Sequence, residues 1–238
     1  MPQGATATVA DPATERGMGM SGVRSVNMVA KHGRLPGTRQ LVVCAGDSIT
    51  RGQVSSDWVG TLAGRLAPAG CELVNAGVNG NLAWNVAARL DAVIACSPDV
   101  VTLLVGTNDV IATLSPSSEA SYRREQRLPE RPTLDWYRSN VALILGRLAM
   151  ETSARVAVIE IPPLGEDPGS LVNARVGRYN DVLHEVADAA GVPVLPLFDR
   201  LVDLLPVGHV PPPYTGSRTP ILVAAVEHLL LRRPWDRA

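Results

Sequence analysis

Five short apolar runs recur along the chain, and helix-like stretches fill the intervals between them. The runs are QLVVCA (40–45), CELVNA (71–76), DVVTLLVG (99–106), RVAVIEI (155–161) and VPVLPLF (192–198). Residues 57–66, 82–95, 134–150 and 172–190 carry the intervening helical patterns, and a final amphipathic stretch spans 220–232. Strands buried on both faces read as continuous apolar runs rather than as alternating ones. Their regular alternation with helices predicts an α/β fold with about five parallel strands joined by right-handed crossovers. The expected architecture is a three-layer α/β/α doubly wound domain.

Residues 1–37 show no sustained periodicity and are expected to form a poorly ordered N-terminal tail, with one domain over 38–238 that begins near Thr38. The longest irregular region after the tail, 110–132, is expected to be a lid, a binding loop or a solvated excursion. Composition excludes several classes. The formal net charge is −1, and Lys31 is the only lysine among 22 basic residues, so no basic stripe favours nucleic acid. The three cysteines (Cys44, Cys71, Cys96) are far apart in or beside apolar stretches, as small buried hydrophobes are, and the four histidines lack ligand spacing. No metal or organic cofactor is expected. The N-terminus lacks the apolar core of a secretory signal, and no run approaches the ~18 apolar residues of a membrane span. A soluble, cytoplasmic protein is the expectation. The oligomeric state is not legible.

Ligands of open α/β sheets bind outside the carboxyl ends of the strands, and four polar clusters fall at such ends here. GDSIT (46–50) follows the first run, NAGVNG (75–80) the second, GTND (106–109) the third and IPP (161–163) the fourth. A serine at a strand end, opening a turn into a helix, is exposed and close to backbone N–H groups. Asp47 and Ser48 also suit a plain helix cap, and Asn108 and Gly80 suit plain turns, when each is taken alone. Asp109 reads as a turn-stabilising carboxylate. Asp57 and Trp58 read as anchors of the first helix, and His184 and His228 as helix-surface or packing residues.

The three blocks in this order resemble the SGNH/GDSL hydrolase family. The resemblance covers roughly residues 40–232 and implies that family's flavodoxin-like layout, with Ser48 as nucleophile. It places Gly80 and Asn108, with the Ser48 N–H, in the oxyanion hole. It also implies a small-molecule ester or acyl substrate. A neutral hydroxyl needs a base nearby, and attack on an ester carbonyl builds negative charge that needs preorganised donors.

The family's last block, Asp-x-x-His, is altered. His209 lies in the corresponding region, but Pro206 stands three residues before it. If Gly216 sets the register instead, the two positions fall on Gly208 and Pro211. Two readings stay open. In one, His209 Nε2 reaches Ser48 and is oriented by Asp203, by another carboxylate or by a backbone carbonyl. In the other the base is gone, and the domain binds a ligand without catalysis or performs another reaction. The same acyl-serine site would serve an acyltransferase if an alcohol or amine replaced water.

Overall fold

The computed structural model describes residues 23–53 and 55–212. Among these, six parallel strands form one sheet: β1 (Arg24–Ser25), β2 (Gln40–Gly46), β3 (Cys71–Gly77), β4 (Val100–Leu104), β5 (Arg155–Ile159) and β6 (Val194–Leu195). Their spatial order is β1-β3-β2-β4-β5-β6. The chain therefore moves outward from β2 in one direction and then returns to β2's other side for β4. This reversal makes the end of β2 the topological switch point of the sheet.

Alternation along β2 divides the core. Leu41, Val43 and Ala45 point into the larger cluster, which the helices α1 (Val26–His32), α4 (Ala83–Ala88), α5 (Leu90–Ala95), α8 (Leu134–Glu151) and α9 (Leu171–Ala189) complete. Val42 and Cys44 point the other way, against α3 (Trp58–Leu66). Every residue of β2 after Gln40 is buried, so an unbroken apolar run is what the position requires. Register then aligns the strand ends: Gly46 pairs with Gly77 on one side and with Leu104 on the other. The polar clusters after β2, β3 and β4 leave the sheet at one level.

The helices over 57–66, 134–150 and 172–190 agree with expectation to within a residue or two. Asp57 caps α3 by accepting from Gly60 N at 2.8 Å, and the Trp58 indole donates to Ile49 O at 3.1 Å. Four differences have physical causes. First, the fold begins by Val23 rather than near Thr38, because β1 pairs with β3 and α1 buries Val26 and Val29. Arg24 is buried against Glu72 at 2.8 Å and also donates to Gly33 O. A two-residue strand and a seven-residue helix are too short to show a period.

Second, the stretch 82–95 is two helices, broken at Arg89 (φ −113°), whose side chain turns inward. Third, the irregular region 110–132 contains helical structure, the end of α6 (Thr107–Ala112) and all of α7 (Pro116–Glu125). Fourth, the strand expected over 192–198 is only two residues long. Pro193 and Pro196 flank it without N–H groups to extend the ladder, and Pro196 starts α10 (Leu197–Val202) instead. The amphipathic stretch 220–232, with His228, lies outside the described residues, as do Gly216 and positions 1–22. Among the described residues, no helix is long and apolar enough to cross a membrane.

The helix that carries Ser48, α2 (Ser48–Arg51), rests directly on β3. A Cβ on Gly77 would sit 2.3 Å from Arg51 N and 2.7 Å from Thr50 C, both of them backbone. Gly77→Ala is therefore expected to push α2 off the sheet. Overpacking of this kind destabilises by about 1–3 kcal/mol. Urea unfolding with the amide-exchange pattern of α2 checks the result. Gly64→Ala, where a Cβ meets nothing within 4 Å, serves as the control.

Candidate active site

Asp47 follows β2 and caps α2, its Oδ1 accepting from Ile49 N at 2.9 Å. Ser48 is thus the first residue of a one-turn helix at the switch point, partly exposed. Asn75 fixes the turn from beneath. Its Nδ2 donates to Thr50 O at 2.8 Å, and its Oδ1 accepts from Gly77 N at 2.9 Å. Val78 N donates to Gly46 O at 3.1 Å and ties the second cluster to the first. Gly80 has φ +76°, a conformation that favours glycine.

The side chain of Asn108 joins all three clusters. Its Nδ2 donates to Asn81 O at 2.9 Å and makes a longer contact of 3.3 Å to Asp47 Oδ2. Its Oδ1 accepts from the Tyr122 hydroxyl at 2.7 Å. Asn81 follows Gly80 and Asp47 precedes Ser48, so one buried amide links the neighbours of both. Arg89 braces the same assembly, donating from Nε to Asn81 Oδ1 and from an Nη to Gly46 O, each at 2.8 Å. Asp109 lies behind, where its carboxylate accepts from Ala83 N and caps α4. The sequence reading makes it a carboxylate that stabilises its own turn; here it serves a helix 26 residues away.

Burial dominates the electrostatics here. Both Asp47 and Asp109 are completely enclosed, which pushes each carboxyl pKa up to about 7. The hydrogen bond from Ile49 and the charge of Arg89 oppose the rise at Asp47, whereas Asp47's own charge adds to it at Asp109. Arg89 is lowered to about 10 by burial and remains a cation near neutrality.

The expected base behaves differently. His209 follows Gly208 in the segment after α10, and its backbone N–H donates to Pro206 O. The sequence reading directs Nε2 at Ser48. Here Nε2 stands 2.7 Å from Glu166 Oε2, in the segment after β5. The approach lies outside hydrogen-bond geometry, and among the described residues Nε2 makes no hydrogen bond, to Ser48 or elsewhere. Asp203 caps the end of α10 through its backbone. The carboxylate at His209 Nε2 is Glu166. His184 pairs with Glu160 at 2.8 Å, and Glu160 also accepts from Phe198 N, a structural tie between α9 and α10.

Asn81, Arg89, Tyr122 and Glu166 were not singled out from the sequence. Arg89 had a signal: it interrupts the apolar face of the 82–95 pattern, where a charge must find buried partners. Among the described residues, no group of three or more His, Cys, Asp or Glu side chains is arranged to hold a metal ion.

A parallel doubly wound sheet with a serine-bearing turn at its switch point, and with glycine and asparagine clusters beside it, defines an SGNH-type α/β hydrolase fold. Residues 44–208 match the GDSL-like Lipase/Acylhydrolase family, and the chain belongs to that family of esterase- and lipase-like hydrolases. The match takes in the first three clusters and ends one residue before His209. Three solved structures share the fold. The acetyl xylan esterase AlAXEase is 23% identical with a TM-score of 0.58, over 68% of this chain and 80% of that one. A catalytic mutant of the acetylxylan esterase Axe2 from Geobacillus stearothermophilus is 19% identical with a TM-score of 0.58, over 85% and 98%. LAE5, an alpha/beta hydrolase enzyme from the metagenome of Lake Arreo, Spain, is 19% identical with a TM-score of 0.56, over 80% and 94%. A comparison with curated proteins gave no match.

Proposed function

We propose that the protein is a serine-dependent carboxylic-ester hydrolase that works through an acyl-serine intermediate at Ser48. The observation that carries this reading is the Asn108 amide, hydrogen-bonded to the neighbours of both Ser48 and Gly80. It supports a shared site for the three clusters. Ser48 Oγ attacks the ester carbonyl and gives its proton to His209. The carbonyl oxygen becomes an oxyanion facing the N–H groups of Ser48 and Gly80 and the Asn108 Nδ2. Of the two Nδ2 contacts, the 3.3 Å one to Asp47 is the weaker, and it is the hydrogen the oxyanion claims. Enclosure raises the Asp47 carboxyl to about 7, so at neutrality and below it opposes the oxyanion less than an ordinary carboxylate would. Collapse of the tetrahedral intermediate expels the alkoxide, which takes the proton from His209. Water then gives up a proton to His209 and attacks the acyl-serine, and collapse of the second tetrahedral intermediate releases the acid as Ser48 Oγ takes the proton back from His209.

With Nε2 beside Glu166, His209 Nδ1 is the nitrogen that would take the Ser48 proton, and in this reading the Glu166 carboxylate, rather than Asp203, holds the protonated imidazole by charge. Turnover of p-nitrophenyl acetate tests the scheme. His209→Ala is expected to lower kcat/KM by ~10⁴, as loss of a triad member does. Glu166→Gln lowers it less, and Asp203→Asn leaves it within about twofold. A parent protein that hydrolyses no short p-nitrophenyl ester contradicts the proposal. Parent-like turnover in His209→Ala places the base elsewhere.

A further inference from the structure

Within the region 110–132, the last turn of α7 brings two side chains to two of the three expected oxyanion donors, Asn108 and Gly80. Tyr122 is buried, and its hydroxyl donates to Asn108 Oδ1 at 2.7 Å. Four residues later, Gln126 lies over Gly80, so closely that a Cβ there would stand 2.5 Å from Gln126 Nε2. Gln126 also accepts from Asn81 Nδ2 at 3.5 Å through its side chain and from Asn85 Nδ2 at 3.3 Å through its carbonyl. Residues one turn apart on a helix share a face, so a single helix end touches both donors. We infer that Tyr122 and Gln126 are positioning residues for the oxyanion hole, and that α7 is its buttress rather than a lid or a solvated excursion. The inference rests on the reading of Asn108 and Gly80 as oxyanion donors.

The physical need is orientation. An amide presents a donor on one side and an acceptor on the other, and it helps an oxyanion only when the NH₂ faces the developing oxygen anion. The Tyr122 hydroxyl engages the acceptor, while Asn81 O takes one N–H from the other side. Together they exclude the flipped amide, in which Asn108 Oδ1 would face Asn81 O. Tyr122 itself is held by Leu82, Ala112 and Leu128 in a small cluster, so its hydroxyl has a fixed position. Ser115 caps α7 by accepting from Ser118 N at 3.1 Å, with Pro116 at the first helical position.

The test is a double-mutant cycle on p-nitrophenyl acetate turnover, with thermal unfolding recorded for each protein. Tyr122→Phe keeps the ring and removes only the hydroxyl. It is expected to lower kcat about 10-fold with KM within about twofold, because the lost orientation matters in the transition state. In an Asn108→Ala background the same substitution is expected to change kcat by less than about twofold. Gln126→Ala, which leaves Asn108 and Tyr122 in place, lowers kcat in the same sense. A Tyr122→Phe protein with parent kcat, or one whose effect multiplies undiminished with Asn108→Ala, overturns the positioning role while Asn108→Ala alone remains impaired. If Asn108→Ala turns over like the parent, the oxyanion-hole reading itself fails.

Discussion

Ser48→Ala is expected to lower ester turnover by ~10⁴–10⁶, because water must then replace the covalent nucleophile. The fold should survive the substitution. Asp47, not Ser48, caps α2 through its side chain, and alanine suits the first turn of a helix. The closure of α2 on Gly52 is a backbone bond from Gly52 N to Ser48 O, which alanine retains. Steady-state turnover, read with circular dichroism and a melting curve, separates the two effects: activity collapses while melting stays close to the parent. Parent-like activity in a folded Ser48→Ala protein would remove the serine from the mechanism.

Arg89→Met is expected to produce the largest loss of stability of any single change at the site, roughly 3–5 kcal/mol. Methionine fills similar space but leaves Asn81 Oδ1 without its donor, Gly46 O with Val78 N alone, and Asp47 without its cation. The loss should grow with pH. Enclosure already raises the folded-state pKa of Asp47 to about 7. A carboxyl raised in this way favours the folded state below its unfolded value of ~3.9, and the benefit fades as pH climbs through the folded value. Without Arg89 the folded pKa rises further, so the decline extends to higher pH. Urea unfolding at pH 5 and pH 8 checks this: the gap between parent and variant should be wider at pH 8. An equal gap would show that the charge of Arg89 is not felt at Asp47.

Much of this arrangement was legible in the residues, for identifiable reasons. β2 is buried throughout after Gln40 and appears as an unbroken apolar segment, and β3, β4 and β5 each keep enough apolar residues over five to seven positions to read as strands. Strand ends in a doubly wound sheet converge without any need for contact information, so GDSIT, NAGVNG and GTND could be placed on one edge. β1 was hidden by its length, since two residues carry no period. The bracing by Arg89 and Tyr122 was hidden because long-range polar contacts leave no spacing in the sequence: Arg89 reaches back 43 residues to Gly46, and Tyr122 reaches back 14 to Asn108. The proximity of His209 to Glu166 spans two separate loops and follows from no local pattern. What the sequence did show was a proline at position 206, three residues before His209, where the family's last block has its aspartate.

The most direct test of the central claim, that Ser48 is an activated nucleophile, is covalent labelling with a fluorophosphonate. The parent should gain the mass of one phosphonyl group with loss of fluoride, and peptide mapping should place the adduct on Ser48. The Ser48→Ala protein should gain none. An unlabelled parent, or an adduct on another residue, would contradict the account.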